Sequence, residues 1–457
     1  MNKLTSKFYL VGIKGSGMSS LCGILQDLNF DVIGSDSNEN YFTNSALKAR
    51  GIEIKAFNLE NIKGDRVYII SRAYNKDNNI EVRKIIENGF VYYYYNEFIE
   101  KFFKGIKIGI SGTHGKTTVT KMVSHFLSDF KICSLIGDST GYGEENYKYF
   151  ILEACEYKNT FLEYTYDYLV INNIDYDHVD FFNNIEEVYE SFYLASKKAK
   201  CLIVNGDDPY ARKIPHSNKF SFGFNSDNDL IITGLKEYKN GYIVKAVMKE
   251  YEKEYLVPFK GKHNLYNFMA SLLVTKLLNE NIDYQEKLYS FKFPTKRMEE
   301  KKYKTNIYIN DYAHHPNEII SLIEMVKSLY PDKDIISIFQ PHTYSRTIKL
   351  KDSFKKCFEG SKEVYYVETF TSREPKNLEK EKIVDEIMSG YQKINIDDLK
   401  RFKDYTNSVI LFLGAGKLSY EMILNWKWKW KNNENDLINV CICGKIIMKR
   451  WEKDESS

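Results

Sequence analysis

No run of about 18 apolar residues occurs in the 457-residue chain, so no segment reads as a membrane-spanning helix. The first apolar patch, Phe8 to Val11, is broken at Lys14, too early for a secretory h-region, and the protein is expected in the cytosol. Cysteine is sparse: the 7 residues are odd in number and scattered through apolar stretches, the pattern of reduced thiols. Cys441 and Cys443 lack a second pair, which argues against a zinc site. Charge of one sign is also missing, since 65 Lys+Arg against 62 Asp+Glu leaves +3. Neither nucleic acid nor an anionic membrane is called for as a partner. Proline is rare at 8, and the 4 tryptophans all lie beyond Leu424, at positions 426, 428, 430 and 451.

What is present is a soluble composition long enough for several domains. Residues 7–104 alternate apolar strands (Phe8 to Gly12, Asp31 to Gly34, Val67 to Ser71) with helical stretches such as Met18 to Leu28, the mark of a parallel α/β unit. A second unit opens at Lys107 and continues through strands ending at Glu153, Asn173 and Asn205. Around Asn240-Gly241 short strands (Tyr242 to Met248, Tyr255 to Phe259) suggest an antiparallel insertion, and a helix follows from about Asn264. The charged stretch Lys296 to Lys304 marks a boundary before a third unit with strands at 306–310, 334–339, 363–367 and 408–413. The expected divisions are 1–104, 105–300 and 301–424, with 425–457 an irregular tail.

In Ile108-Gly-Ile-Ser-Gly-Thr-His-Gly-Lys-Thr-Thr-Val119 an apolar strand meets a glycine turn and a helix start. Backbone N–H groups of such a turn face an anion, the helix offers its positive end, and Lys116 and Thr117 can meet phosphate and Mg²⁺. The general pattern would need glycine at Ile110, so this is a variant loop for a nucleoside triphosphate. A second glycine turn, Gly12-Ile-Lys-Gly15-Ser-Gly17-Met-Ser19, precedes an acid at Asp36. It fits a dinucleotide site, a different nucleotide or a structural turn.

Of 8 histidines, six fall in clusters at strand ends or helix starts: His114, His178, His263, His314, His315 and His342. His125 and His216 read as ordinary structural residues. Glu153 and His178 follow adjacent buried strands and, with Thr117, are candidates to hold Mg²⁺. Asp177 and Asp180 are alternative ligands or helix caps.

Taken in order, Gly12 to Ser19, Ser111-Gly-Thr-His-Gly-Lys-Thr-Thr118, Glu153-Ala-Cys-Glu156, Asn173-Ile-Asp-Tyr-Asp-His178, His263-Asn-Leu-Tyr-Asn267, Arg297 with Glu299, Asp311-Tyr-Ala-His-His-Pro316 and Gln340-Pro-His-Thr-Tyr-Ser-Arg-Thr347 resemble the Mur ligases, over roughly residues 7 to 420. The resemblance implies a three-domain α/β architecture: a Rossmann-like UDP-binding domain, a P-loop ATPase-type domain and a second Rossmann-like domain. It implies an ATP- and Mg²⁺-dependent amide ligase of peptidoglycan synthesis, monomeric or homodimeric, closest to the branch joining L-alanine to UDP-N-acetylmuramate. An alternative in the same family joins a whole tripeptide to that acceptor.

By the same resemblance, Gly15, Ser16, Gly17, Met18, Ser19 and Asp36 hold the UDP substrate, which displaces a nicotinamide reading. Gly112, Thr113, His114, Gly115, Lys116, Thr117 and Thr118 cradle ATP, with His263 and Asn267 at adenine, Arg297 at the phosphates and Asp311 at the ribose. Lys116, His178, His314 and Arg346 form the expected catalytic set. His178 is placed as a metal ligand rather than a base, and Arg346 as the fork for alanine's carboxylate. Lys417 follows Gly414-Ala-Gly416 where the family usually has an acid.

Overall fold

The computed structural model describes residues 7–418 apart from Asn40, Phe42, Thr295, Arg373 and Lys417. Lys417 and the expected tail lie outside the described residues.

The first unit runs β1 (Lys7–Val11), α1 (Ser16–Asp27), β2 (Asp31–Asp36), α2 (Asn44–Ala49), β3 (Ile54–Ala56), β4 (Val67–Ile70), α3 (Ile80–Glu87), β5 (Tyr92–Tyr94) and α4 (Tyr95–Phe102). Its parallel sheet has the order β3-β2-β1-β4-β5. The order reverses at β1, so the glycine turn after Val11 opens at the crevice where such sheets take ligands.

The middle unit comprises β6 (Ile106–Ser111), α5 (Lys116–Phe126), β7 (Ile132–Leu135), β8 (Gly141–Gly143), β9 (Tyr149–Glu153), β10 (Tyr166–Ile171), α6 (Ile185–Ser196), β11 (Ala199–Asn205), β12 (Lys219–Gly223), β13 (Leu230–Tyr238), β14 (Gly241–Met248), β15 (Tyr251–Val257), α7 (Lys262–Leu277) and α8 (Tyr284–Ser290). In its ten-stranded sheet β6 pairs with β10 on one side and β9 on the other, both parallel. The segments after β9 and β10 therefore flank the phosphate loop. Strands β6, β9 and β10 are largely apolar and mostly buried, as a sheet covered on both faces requires. The expected antiparallel strands are present as a meander, β13 to β15, which continues this sheet through β12. Its turns fall at Lys239-Asn240 and Lys249-Glu250, and the lysines take the positive φ themselves (+49° and +50°), so the Asn-Gly signal sits one residue late.

The third unit comprises β16 (Glu299–Tyr303), β17 (Asn306–Asp311), α9 (Pro316–Leu329), β18 (Asp334–Phe339), α10 (Tyr344–Lys349), α11 (Lys351–Phe354), β19 (Glu363–Tyr366), α12 (Leu378–Ile387), β20 (Gln392–Lys393) and β21 (Ser408–Leu413), with sheet order β16-β17-β21-β18-β19-β20. The charged stretch read as a boundary supplies β16, an antiparallel edge strand on β17. Its charges stay in solvent, a usual guard on an exposed edge.

The first two units share one apolar core cluster. Helix α1 lies on β8 so closely that a Cβ at Gly141 would stand 1.8 Å from the Ser20 carbonyl oxygen. Ser20 Oγ donates to the Ile136 carbonyl at 2.6 Å, and Arg50 Nη2 to that of Gly141 at 2.9 Å.

Candidate active site

The phosphate loop turns at Gly115, the N-cap of α5, whose φ of +83° suits glycine. A Cβ there would also meet Asn172 Nδ2 and Asn267 Oδ1 at 2.5 Å, so the position is closed sterically as well as conformationally. Asn172 and Asn173, in the segment just after β10, hold the loop, each donating through Nδ2 to the His114 carbonyl at 3.0 Å. Lys116 Nζ donates to the carbonyls of Gly112 (2.6 Å) and Thr113 (3.1 Å) and pairs with Glu156 at 3.0 Å. Burial opposes the ammonium charge, yet Glu156 above all outweighs it and pushes the lysine pKa up.

A cavity of about 560 Å³ opens in front of this loop, lined from all three units. Gly15, Ser16, Gly17 and Met18 line it from the first unit, Lys116, Thr117, Glu153 and His178 from the middle, and Arg297, His314 and Arg346 from the third. Burial pushes the Glu153 pKa up, against Lys116, the Thr117 hydroxyl and the Gly137 N–H, which donates to Oε2 at 2.9 Å. His178, at φ +49°, places Nε2 3.3 Å from Glu156 Oε1 and packs at a tilt against the Tyr157 ring. Of the expected metal ligands, then, Thr117 and Glu153 touch each other, whereas His178 leans on Glu156. Among the described residues its Nδ1 and Asp138 Oδ2 are buried without hydrogen-bond partners, although Lys121 Nζ stands 3.6 Å from that oxygen, and both residues line the cavity. A hydroxyl, carboxylates and a spare imidazole nitrogen around one cavity suit a hard divalent cation.

Tyr157 donates to Asp180 at 2.8 Å, and Asp177 is engaged by Arg346, which occupies both alternative ligands. Arg346 Nη1 turns to His342, 2.6 Å from Nδ1, so most of the guanidinium expected for alanine's carboxylate is already bonded within the protein. Burial works against the Asp177 charge, but Arg346 holds its pKa well below the usual range. Burial, then Arg346, pushes His314 down to about 3, so the ring is neutral, and its Nδ1 lies 2.9 Å from the Tyr312 carbonyl.

Behind the loop a second cavity of about 220 Å³ is lined by Thr118, His263, Asn267, Arg297 and Asp311 together with Asn205, Tyr266 and Met325. The middle and third units thus bring together the residues expected at a nucleoside. Burial and the neighbouring Arg297 lower His263 to about 4, leaving a neutral ring for a base. Burial raises Asp311 against Arg297, while its carboxylate accepts the N–H groups of Met298 and Ala313 at 2.8 Å each.

Two expected residues of the first unit stand apart from the cavity walls. Ser19 is buried inside α1. Asp36 is 4% exposed and accepts the backbone N–H groups of Lys14 (2.7 Å) and Ser37 (2.8 Å), so its charge fastens the glycine turn to β2.

Sequence reasoning missed Glu318, Asp175 and Asp138. Glu318 is the third residue of α9 and forms a capping box with His315, a signal readable in His315-Pro-Asn-Glu318. Asp175 joins His114 (3.2 Å to Nε2) and Asn317, a convergence of three distant segments that no local pattern announces.

Comparison with known proteins agrees along the whole described chain. The Mur ligase family catalytic domain matches residues 7–106, the Mur ligase middle domain 110–275, and the Mur ligase glutamate ligase domain 296–416. A UDP-N-acetylmuramate--L-alanine ligase from Streptococcus mutans is 35% identical over 436 residues, covering 92% of this chain and 96% of the relative. One from Streptococcus suis is 36% identical over 430 residues, covering 92% and 97%. Among solved structures, the UDP-N-acetylmuramate-alanine ligase of Thermotoga maritima superposes with a TM-score of 0.76 at 21% identity, covering 92% of this chain and 99% of that one. A murein peptide ligase from Psychrobacter arcticus gives 0.68 at 18%, covering 92% and 98%. Three consecutive domain matches and relatives of this identity across nearly the full length place the chain in the Mur ligase family.

Proposed function

We propose that the protein joins L-alanine to the carboxylate of UDP-N-acetylmuramate at the expense of ATP, in the cytosol, as a step of peptidoglycan precursor synthesis. The observation that carries this reading is the single cavity onto which the glycine turn of the first unit, the phosphate loop of the second and His314 and Arg346 of the third all open. Relatives named as alanine-adding ligases, at 35% identity over 92% of the chain, support the choice of acceptor and amino acid.

In this mechanism the muramate carboxylate attacks the γ-phosphorus of ATP, ADP leaves, and the alanine amine then attacks the resulting acyl phosphate and expels phosphate. A carboxylate and a triphosphate repel each other, so Lys116 and the N–H groups at the start of α5 must neutralise the transferred group and hold the attack in line. The Lys116 ammonium, now bonded to the Gly112 and Thr113 carbonyls and to Glu156, would exchange some of these contacts for phosphate oxygens. Thr117, Glu153 and His178 would hold Mg²⁺, which supplies further neutralisation of the phosphates when bound. Gly15 to Met18 present the turn and the positive end of α1 to the diphosphate of the UDP substrate. His263 and Asn267 line the adenine side and Asp311 the ribose side of the smaller cavity. Neutral His314 meets the substrate as a polar, uncharged group. A site walled by three units excludes water from the acyl phosphate.

The test is phosphate release from ATP with Mg²⁺, supplying UDP-N-acetylmuramate and L-alanine singly and together. Release that needs both, with one amide formed per phosphate, is expected. Release with tripeptide but not alanine would transfer the chain to the recycling branch, and release needing neither would remove the ligase reading.

A further inference from the structure

Glu318 had no part in the site read from the sequence, yet its carboxylate gathers three side chains that do. It lies 3.4 Å from Arg297 Nη1, 3.5 Å from His114 Nδ1 and 3.5 Å from His314 Nδ1. It also accepts the N–H groups of His314 and His315 at 3.2 and 3.4 Å. Glu318 belongs to α9 of the third unit, whereas His114 belongs to the phosphate loop of the middle unit. We propose that Glu318 is a positioning residue that makes the phosphate loop's hold on ATP depend on docking of the third unit, through its contact with His114. This inference rests on the ligase reading above.

The argument begins with the ring between two carboxylates. His114 Nε2 is 3.2 Å from Asp175 Oδ2 in the middle unit, and Nδ1 faces Glu318 in the third. A neutral imidazole can donate through only one nitrogen, and a protonated one through both. Burial favours the neutral ring, but Asp175 and Glu318 outweigh it and hold the His114 pKa at about 9. The remaining groups facing the ring are His315, 4.7 Å away and pushed towards neutrality by burial and by His114, and Asn317, which donates to Asp175. Arg297 pairs with Glu318 beyond the ring. The loop is thus tied to α9 by an ion pair that forms only when the third unit is docked.

Removing the Glu318 charge without changing its shape would not simply leave the loop more positive. His114 would hold its proton less firmly, with Asp175 still beside it, so part of the positive charge is lost along with the negative one. What remains is a loss of orientation in His114 and Arg297, and a donor held in place contributes more to phosphate binding than a mobile one.

Full-length protein carrying Glu318→Gln, with Glu318→Asp as a second variant, tests this in two readouts. The His114 ring midpoint is followed by ¹³C-histidine NMR, assigned with His114→Asn, and Mg²⁺-ATP affinity by calorimetry alongside the KM values. Glu318→Gln should lower the His114 midpoint by about one unit or more, and weaken ATP binding about tenfold, a typical loss for a bond between charged partners. The KM for UDP-N-acetylmuramate should not change, and Glu318→Asp should retain part of both effects of the native carboxylate. A folded variant with an unmoved His114 midpoint, or with unchanged or tighter ATP binding, would overturn the inference. Wild-type protein that binds ATP but releases no phosphate with both substrates would instead remove the ligase reading, leaving the binding comparison intact.

Discussion

Arg346 Nε and Nη2 meet the two carboxylate oxygens of Asp177 at 2.8 and 3.2 Å, a bidentate pair between α10 of the third unit and the segment that follows β10 in the middle one. Both side chains are almost completely buried, at 4% and 8% exposure. The contact joins the two units at the wall of the large cavity, directly beside His178. An arginine assigned from sequence to a substrate carboxylate therefore carries an interdomain tie as well.

Arg346→Ala should raise the alanine requirement and also loosen the docked third unit. Leaving Asp177 buried without its partner costs about 3–5 kcal/mol by the usual behaviour of broken buried pairs. Steady-state kinetics against alanine concentration and small-angle scattering read the two effects. If Asp177→Asn has the same consequences and the double variant adds nothing, Arg346 acts through Asp177 alone; additive alanine effects would restore a direct role.

Lys116→Ala should abolish phosphate release while leaving UDP-N-acetylmuramate binding nearly intact, because the site proposed for that substrate is Gly15 to Met18 in the first unit. It should also lower stability by about 3 kcal/mol, since buried Glu156 loses its lysine partner and keeps only His178. Combining it with Glu156→Gln should return much of that stability and none of the activity. Denaturant melts and a binding titration separate these outcomes.

The histidines predict opposite flanks of the pH profile. His114, raised to about 9, contributes stability that is fully present below about 6.5, its ordinary value, and is lost as pH rises through about 9. His263 and His314, lowered to about 4 and about 3, contribute stability present above about 6.5 and lost progressively as pH falls towards those values. Thermal melts across pH 4 to 10 should show both flanks, and His114→Asn should flatten the alkaline one.

Gly141→Ala tests the seam between the first two units. The added Cβ would stand 1.8 Å from a backbone oxygen of α1, which no rotamer change can relieve. A loss of at least about 1–3 kcal/mol is expected, with earlier proteolysis between the two units. An unchanged melting temperature would show that α1 can slide on β8.

The amino-acid order alone determined the three α/β units, the glycine turns and the helices that follow them, because apolar strand runs, glycine at left-handed positions such as Gly115 and short capping patterns are local physics. It also made legible the residues expected at the nucleoside, His263, Asn267, Arg297 and Asp311, which the fold does gather around one cavity. It placed the turn signal at Asn240-Gly241, whereas Lys239 takes the positive φ, because a turn held by a paired meander can impose that conformation on a residue that does not prefer it. Tertiary structure alone decided that Asp36 would fasten a turn, that His178 would lean on Glu156, and that Arg346 would spend its fork on Asp177. Those outcomes depend on which buried charges from distant segments meet, and a buried charge takes the partner that packing brings within reach.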